Sequence, residues 1–337
     1  MVKRAAIILA AGVSSRMNTK LPKMLHEVCG RPMLAYVLDA CREAGAGKIY
    51  VVVGYGAEQV KEYFGKDRDI VWVLQKKPKG TADAVMCCRK HLKDFDGQTL
   101  VLCGDGPLIR AETLKTIIEK HKAEHSMATL ATAILDNPAG YGRIVRDAYG
   151  NIEGIVEDAD CTSEQKNIKE VNPSYYLFNN KVLFESVSKV KPDNVKKEYY
   201  ITDALSIILA AGHKVIAVTA VRPEEAMSIN SRNQLSEIGK IMQRRIQQEL
   251  MNSGVTIVDP ENTWIDVRAQ IGQDTQIEPF TYIYGAVKIG RNCRIGPFAY
   301  LDDSVSVKDG SEIRPCNGAI TAGNKTRNEH NKRERKG

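Results

Sequence analysis

Residues 5–25 read Ala-Ala-Ile-Ile-Leu-Ala-Ala-Gly-Val-Ser-Ser-Arg-Met-Asn-Thr-Lys-Leu-Pro-Lys-Met-Leu. The apolar run from Ala5 to Ala11 has the length of a buried strand. It breaks at Gly12 into a loop of small residues that carries Arg16 and then Lys23. The carboxyl end of a strand in an open α/β sheet is where ligands bind. Gly12, Ser14 and Ser15 let backbone N–H groups approach phosphate oxygens, and Arg16 and Lys23 add a planar fork and a compact point charge. The stretch therefore predicts a triphosphate cradle at a strand end. It holds neither G-x-x-x-x-G-K-[ST] nor G-x-G-x-x-G, so it is not one of the commoner phosphate loops.

Downstream, apolar strand-like runs alternate with amphipathic stretches as far as about residue 226. The strand candidates are 5–11, 49–53, 70–74, 99–103, 127–133, 143–146, 152–157, 175–178 and 215–220. Helices are predicted near 32–45, 57–64, 81–93, 111–124, 181–188 and 202–211. This alternation predicts a Rossmann-like, doubly wound α/β domain with a mostly parallel sheet. The segments between 140 and 178 read as antiparallel insertions over the carboxyl edge, where a second substrate would fit. Leu235, Ile238, Met242, Ile246 and Leu250 recur every three or four residues up to Asn252-Ser253-Gly254, predicting one connecting helix over 232–252.

A different period follows. Ile265, Ile271, Ile277, Ile283, Ile289, Ile295, Leu301, Val307 and Ile313 keep a spacing of six, with small residues such as Thr275, Thr281, Cys293 and Ala299 at the corners. Nine consecutive anchors predict a short left-handed parallel β-helix with the aliphatic residues pointing inward. The register then fails at Ala319, Lys325 and Asn331. The expected division is a catalytic domain over 1–229, a linker helix over 230–254, a partial β-helix over 255–313 and a basic, disordered tail over 314–337.

Composition places limits on function. The 337 residues exceed one ordinary core, and 43% hydrophobic with 26% charged residues is globular material. No apolar run reaches the roughly 18 residues of a membrane span, and no small-residue cleavage site follows the N-terminal apolar stretch. The net charge is +7, but residues 314–337 hold seven Lys or Arg against two Glu. The remaining body is nearly neutral, so no nucleic-acid surface is expected. Eight cysteines at 29, 41, 87, 88, 103, 161, 293 and 316 show no C-x-x-C spacing, which points to free thiols in a cytoplasmic protein.

Leu-Ala-Ala-Gly-x-x-x-Arg-Met with Leu-Pro-Lys resembles the sugar-nucleotide pyrophosphorylases, and Leu-Pro-Lys-Met-Leu-His resembles their bacterial N-acetylglucosamine-1-phosphate uridyltransferase branch. The resemblance continues through Gln75, Gly80-Thr81, Gly104-Asp105, Gly140-Tyr141-Gly142-Arg143, Gly154-Ile155-Val156-Glu157, Glu198-Tyr199-Tyr200-Ile201-Thr202-Asp203 and Asn230. It implies transfer of UMP from UTP to N-acetylglucosamine-1-phosphate, a nucleotidyltransferase domain, Mg²⁺ as cofactor and a homotrimer built on the β-helix. It also implies that Arg16, Lys23 and Asp105 are catalytic and that Asp105 and Asn230 hold the metal. Leu9, Ala10, Ala11, Gly12, Lys23, Gln75, Gly80, Thr81, Cys103, Gly104 and Asp105 are implied for the nucleotide side, with Asn230. Gly140, Glu157 and Asn172 are implied for the acetamido sugar. Read without the family, Asn230 is a helix cap, Asp105 a turn cap and Gln75 a polar strand end. Thr202 or Asp203 would cap a helix.

The chain departs from the family pattern at Ser14, Cys103, Gly106 and Pro173-Ser174, mostly around the sugar. In the full-length family, later coils acetylate glucosamine-1-phosphate; the failed register predicts no such activity here. Two other readings stay open: a pyrophosphorylase for another sugar phosphate or nucleotide, and a non-catalytic trimeric subunit that senses sugar nucleotide.

Overall fold

The computed structural model describes residues 2–12 and 15–314. Ser14, Cys316, the failed hexad positions and the tail from residue 315 lie outside the described residues. The first unit comprises Met1–Glu27 and Pro32–Ile238, the second Val28–Arg31 and Gly239–Gly337. The division thus falls inside the long helix, and one short internal segment counts with the second unit, which no linear reading of a boundary reveals.

The chain runs β1 (Arg4–Ala10), β2 (Glu27–Val28), β3 (Arg31–Pro32), α1 (Met33–Glu43), β4 (Lys48–Val53), α2 (Ala57–Tyr63), β5 (Ile70–Leu74), α3 (Thr81–Cys87) and α4 (Arg89–Leu92). It continues with β6 (Gln98–Cys103), α5 (Ala111–Ala123), β7 (Ala128–Ile134), β8 (Gly142–Arg146), β9 (Ile152–Val156), β10 (Glu170–Asn179), α6 (Asn180–Val187), α7 (Ile201–Ala210), β11 (Val215–Thr219) and α8 (Arg232–Asn252).

The sheet has the order β11-β7-β10-β6-β1-β4-β5, with β8 and β9 branching from β10. Strand β1 is apolar throughout because it pairs in parallel with both β4 and β6 and is covered on both faces. Its alternate residues enter two cores. Ala6 and Ile8 pack with Leu34, Val37 and Leu38 of α1 and Leu114 and Ile117 of α5. Ala5 and Ile7 pack with Val85 of α3, Leu183 of α6 and Leu205 and Ile208 of α7. Helices on both faces are the doubly wound arrangement expected.

The stretch 140–178 is organised differently from the expectation. Strand β10 does not lie over the carboxyl edge; it is antiparallel between β6 and β7, deep in the sheet. Only β8 and β9 form the lateral antiparallel extension. The strand extends upstream of 175 because Asn172-Pro173-Ser174 is a bulge, where Pro is tolerated within a sheet. Ser174 takes a positive φ of 68°, and its N–H donates to Asn172 Oδ1 across 3.1 Å. The predicted helix over 81–93 is two segments, with Cys88 between them.

In the second unit, β12 (Thr256–Ile257), β13 (Trp264–Ile265), β14 (Gln270–Ile271), β15 (Gln276–Ile277), β16 (Tyr282–Ile283), β17 (Lys288–Ile289), β18 (Arg294–Ile295), β19 (Tyr300–Leu301), β20 (Ser306–Val307) and β21 (Glu312–Ile313) form three parallel ladders. Ile265, Ile283 and Leu301 stack in one ladder and Ile271, Ile289 and Val307 in another, so three hexads make one coil of a short left-handed β-helix. Ile257 is a further anchor that the six-residue count missed. It precedes Ile265 by eight positions because the turn Pro260–Asn262 adds two residues, yet it pairs with Ile277. Gly285 has φ +84°, and a Cβ there would lie 1.2 Å from Asp303 Oδ1, so the corner admits only glycine. Within this unit α8 does more than connect. Gln247 donates from Nε2 to the carbonyls of Pro260 and Thr263 at 2.8 Å each, and Gln243 Oε1 accepts from Ile265 N–H.

Candidate active site

Strands β1, β4, β5 and β6 are mutually parallel, so their carboxyl ends make one edge. Gly104 N–H donates to the Leu9 carbonyl and Gln75 N–H to the Val53 carbonyl, both at 2.9 Å, tying the loops that leave this edge. There a cavity of about 280 Å³ opens, lined by Leu9, Ala11, Gly12, Lys23, Gln75, Gly80, Thr81, Cys103 and Asp105. Nine residues placed by the sequence thus share one hollow. Met24, Pro78, Ala84 and Glu198 also line it and were not foreseen individually.

Lys23 is one of these lining residues. It begins a short turn, Lys23–Leu25, that is closed by Leu25 N–H donating to the Pro22 carbonyl and is anchored by buried Met24. Lys23 Nζ donates to Asp105 Oδ2 at 2.6 Å and to Asn230 Oδ1 at 2.8 Å. Asp105 stands one residue beyond the end of β6, after Gly104. At the start of α8, Ser231 Oγ accepts from Gln234 N–H, and Gln234 Oε1 accepts from the Asn230 N–H.

One carboxylate and one amide oxygen therefore converge on a single cation position, which the Lys23 ammonium fills. Hard oxygens in this number suit Mg²⁺, which commonly takes one or two protein ligands and completes its shell with phosphate and water. No cluster of three or more His, Cys, Asp or Glu with metal-binding geometry occurs among the described residues.

Gln75, on the same lining, is buried and donates from Nε2 to Asp83 Oδ2 at 2.7 Å and to the Gly80 carbonyl at 3.4 Å. Gly80 has φ +120° and begins α3; a Cβ there would lie 2.4 Å from the Tyr199 carbonyl. Thr81 Oγ1 accepts from Ile201 N–H at 2.8 Å.

Glu157 is not among the residues that line the cavity. Burial raises its carboxyl above the usual range, and a hydrogen bond from Thr202 Oγ1 at 3.1 Å partly opposes this. Thr202 is thus not the cap of α7, as expected; it lies inside the first turn and holds Glu157, while Tyr200 precedes the helix without a side-chain cap. Asn172 is spent internally, its Nδ2 donating to Tyr176 Oη at 2.7 Å.

Other assignments fall elsewhere. Ala10 points into the core with α1. Space at Gly104 is tight, since a Cβ would lie 3.0 Å from Met24 Sδ and 3.3 Å from Ile8. Arg16 is exposed on the turn Ser15–Met17, and Gly140 is an exposed turn glycine with φ +85°. Cys103 faces the cavity, but burial, with Asp105 nearby, pushes its thiol up to about 12, so it is no nucleophile at neutral pH. The seven described cysteines are all free. None of the described helices is long and apolar enough to cross a membrane.

This edge, with a lysine, an aspartate and an asparagine meeting above it, belongs to a nucleotide-handling α/β enzyme class, and sequence comparison gives the family. The chain belongs to the nucleotidyl transferase family, which its residues 5–267 match, and residues 268–303 match the bacterial transferase hexapeptide family of six repeats. It is similar to the bifunctional protein GlmU of Geobacillus sp. (strain WCH70), 47% identical over 285 residues, which are 85% of this chain and 62% of that protein. Its identity to the bifunctional protein GlmU of Listeria innocua serovar 6a (strain ATCC BAA-680 / CLIP 11262) is 44% over the same shares. The chain thus spans less than two thirds of the length of these relatives. Among solved structures, a UDP-glucose pyrophosphorylase complexed with UDP-glucose is 19% identical with a TM-score of 0.61, covering 73% of this chain and all of that one, which is a likeness of fold.

Proposed function

We propose that this protein transfers UMP from UTP to N-acetylglucosamine-1-phosphate, releasing pyrophosphate. The observation that carries this reading is the junction of Lys23, Asp105 and Asn230 on a cavity that Lys23 and Asp105 line together with Gln75 and the Gly80-Thr81 turn. Such a transfer brings anions together and needs no protein nucleophile, so positioning and charge neutralisation are the work to be done. Mg²⁺ held by Asp105 and Asn230 would supply charge neutralisation on the phosphates. Lys23 then turns its ammonium to the phosphates about the bond being made, and Arg16, exposed and unencumbered by the cavity wall, reaches the leaving pyrophosphate. Gly12, Leu9 and Ala11 give close backbone approach, Gln75, Gly80 and Thr81 meet the base, and Glu157, oriented by Thr202, meets sugar hydroxyls with Asn172 and Gly140 beside it.

In this reading residues 1–229 are catalytic, 230–254 connect and 255–313 assemble a homotrimer in the cytoplasm. The trimer is supported by an aromatic column on the β-helix, where half-buried Trp264 and exposed Tyr282 and Tyr300 stack with centroids 6.0 and 5.8 Å apart. Pyrophosphate release, measured with UTP, Mg²⁺ and a panel of sugar phosphates, tests the function. Release with N-acetylglucosamine-1-phosphate well above that with glucose-1-phosphate is the expected result. Equal or greater release with another sugar phosphate would reassign the substrate.

A further inference from the structure

The Gln75 amide is not free to choose which atom it offers a ligand. Its Nε2 lies 2.7 Å from Asp83 Oδ2 and 3.4 Å from the Gly80 carbonyl. A carboxylate and a carbonyl oxygen only accept, so the NH₂ group must face them. The buried amide therefore keeps its oxygen as the hydrogen-bonding atom left for a partner, on a residue that lines the cavity. Asp83 lies in the first turn of α3, one turn on from Gly80, and that turn is held from outside: Ala82 N–H donates to the Tyr199 carbonyl at 2.8 Å. Donor side and anchor are thus both fixed before any ligand arrives.

We infer that Asp83 is a positioning residue that sets base preference by holding Gln75 with its acceptor toward the base. This rests on the uridylyl-transfer reading and deepens it. Uracil and thymine carry a hydrogen on N3 and can donate to that oxygen. Cytosine presents a bare N3 lone pair, which would face the amide oxygen as acceptor against acceptor. A buried polar group left without its partner is where a site discriminates most strongly. Asp83 does not touch the base; it denies Gln75 the flip that would welcome cytosine.

The test compares the full chain with Asp83→Ala, Asp83→Ser and Asp83→Asn. Serine keeps a polar group at the helix start but is too short to reach Gln75, and asparagine keeps an oxygen acceptor. Equilibrium binding of UTP and CTP is measured for each, beside kcat/KM and thermal melting. The expected result is a UTP-over-CTP preference that falls at least about tenfold in the alanine and serine variants and stays within about threefold of wild type in the asparagine variant, with melting little changed. A preference retained in the serine variant, or absent from the wild type, would overturn the inference. A wild type that binds UTP selectively yet releases no pyrophosphate would sink the proposed transfer and leave the role of Asp83 standing.

Discussion

Lys23 and Asp105, 82 positions apart in sequence, meet at 2.6 Å with side chains only 8% and 19% exposed. Desolvating two charges is repaid only by good geometry and further hydrogen bonds; here Asn230 supplies the further bond to the lysine. In the proposed transfer this pair is where the anionic ligands would be met. Asp105→Asn keeps an oxygen for Lys23 and removes the charge. Turnover should fall at least about a hundredfold with a melting temperature within about 5 °C of wild type. Wild-type rates at saturating Mg²⁺ would remove Asp105 from the reaction.

Lys23→Ala and Arg16→Ala should each depress kcat more than they raise the apparent KM for the sugar phosphate, because contacts to phosphate strengthen as charge redistributes in the transition state. The two differ in surroundings: Lys23 is bonded to two partners and Arg16 is exposed. A defect confined to sugar-phosphate KM, in steady-state kinetics of either variant, would assign that residue to binding alone.

His121 gives a stability prediction independent of activity. It is buried with Nδ1 2.9 Å from Thr129 Oγ1 and 3.2 Å from Ser126 Oγ, and burial, with Arg4 nearby, lowers its pKa to about 4. The unfolded chain, with an ordinary histidine near 6.5, binds the proton first as pH falls. Its contribution is thus whole above about pH 6.5 and is lost progressively down to about pH 4, by up to about 3 kcal/mol. Urea unfolding of wild type and His121→Gln across this window should show a steeper acid loss in the wild type. Parallel curves would exclude His121 as the cause.

Assembly is checked by light scattering on the full chain, which should give about three times the 37.3 kDa chain mass. A monomeric mass would detach the β-helix from the role given to it.

What the sequence made legible followed from local physics. A strand buried on both faces must be apolar, so Ala5–Ala11 declared β1, and an unbroken six-residue period can satisfy only a β-helix. What it concealed depends on partners far away or on broken patterns. Pro173 hid the first half of β10 behind a bulge. The two extra residues around Pro260–Asn262 hid Ile257. Nothing local announces that a lysine 207 residues away bonds the Asn230 amide oxygen. Ala10 packs into the core beside α1 and Gly104 sits close against Met24 and Ile8, surroundings that the motif alone does not announce, and Thr202, at a helix start, was spent on Glu157.

The turn that begins α3 is stitched to the chain entering α7: Tyr199 N–H donates to the Lys79 carbonyl, Ala82 N–H to the Tyr199 carbonyl and Ile201 N–H to Thr81 Oγ1. For anyone wishing to redesign the enzyme, these seams make residues 79–82 and 199–202 a single transplantable module. A new segment grafted through α7 alone would arrive with its stitches cut, and residues 79–82 would have to travel with it.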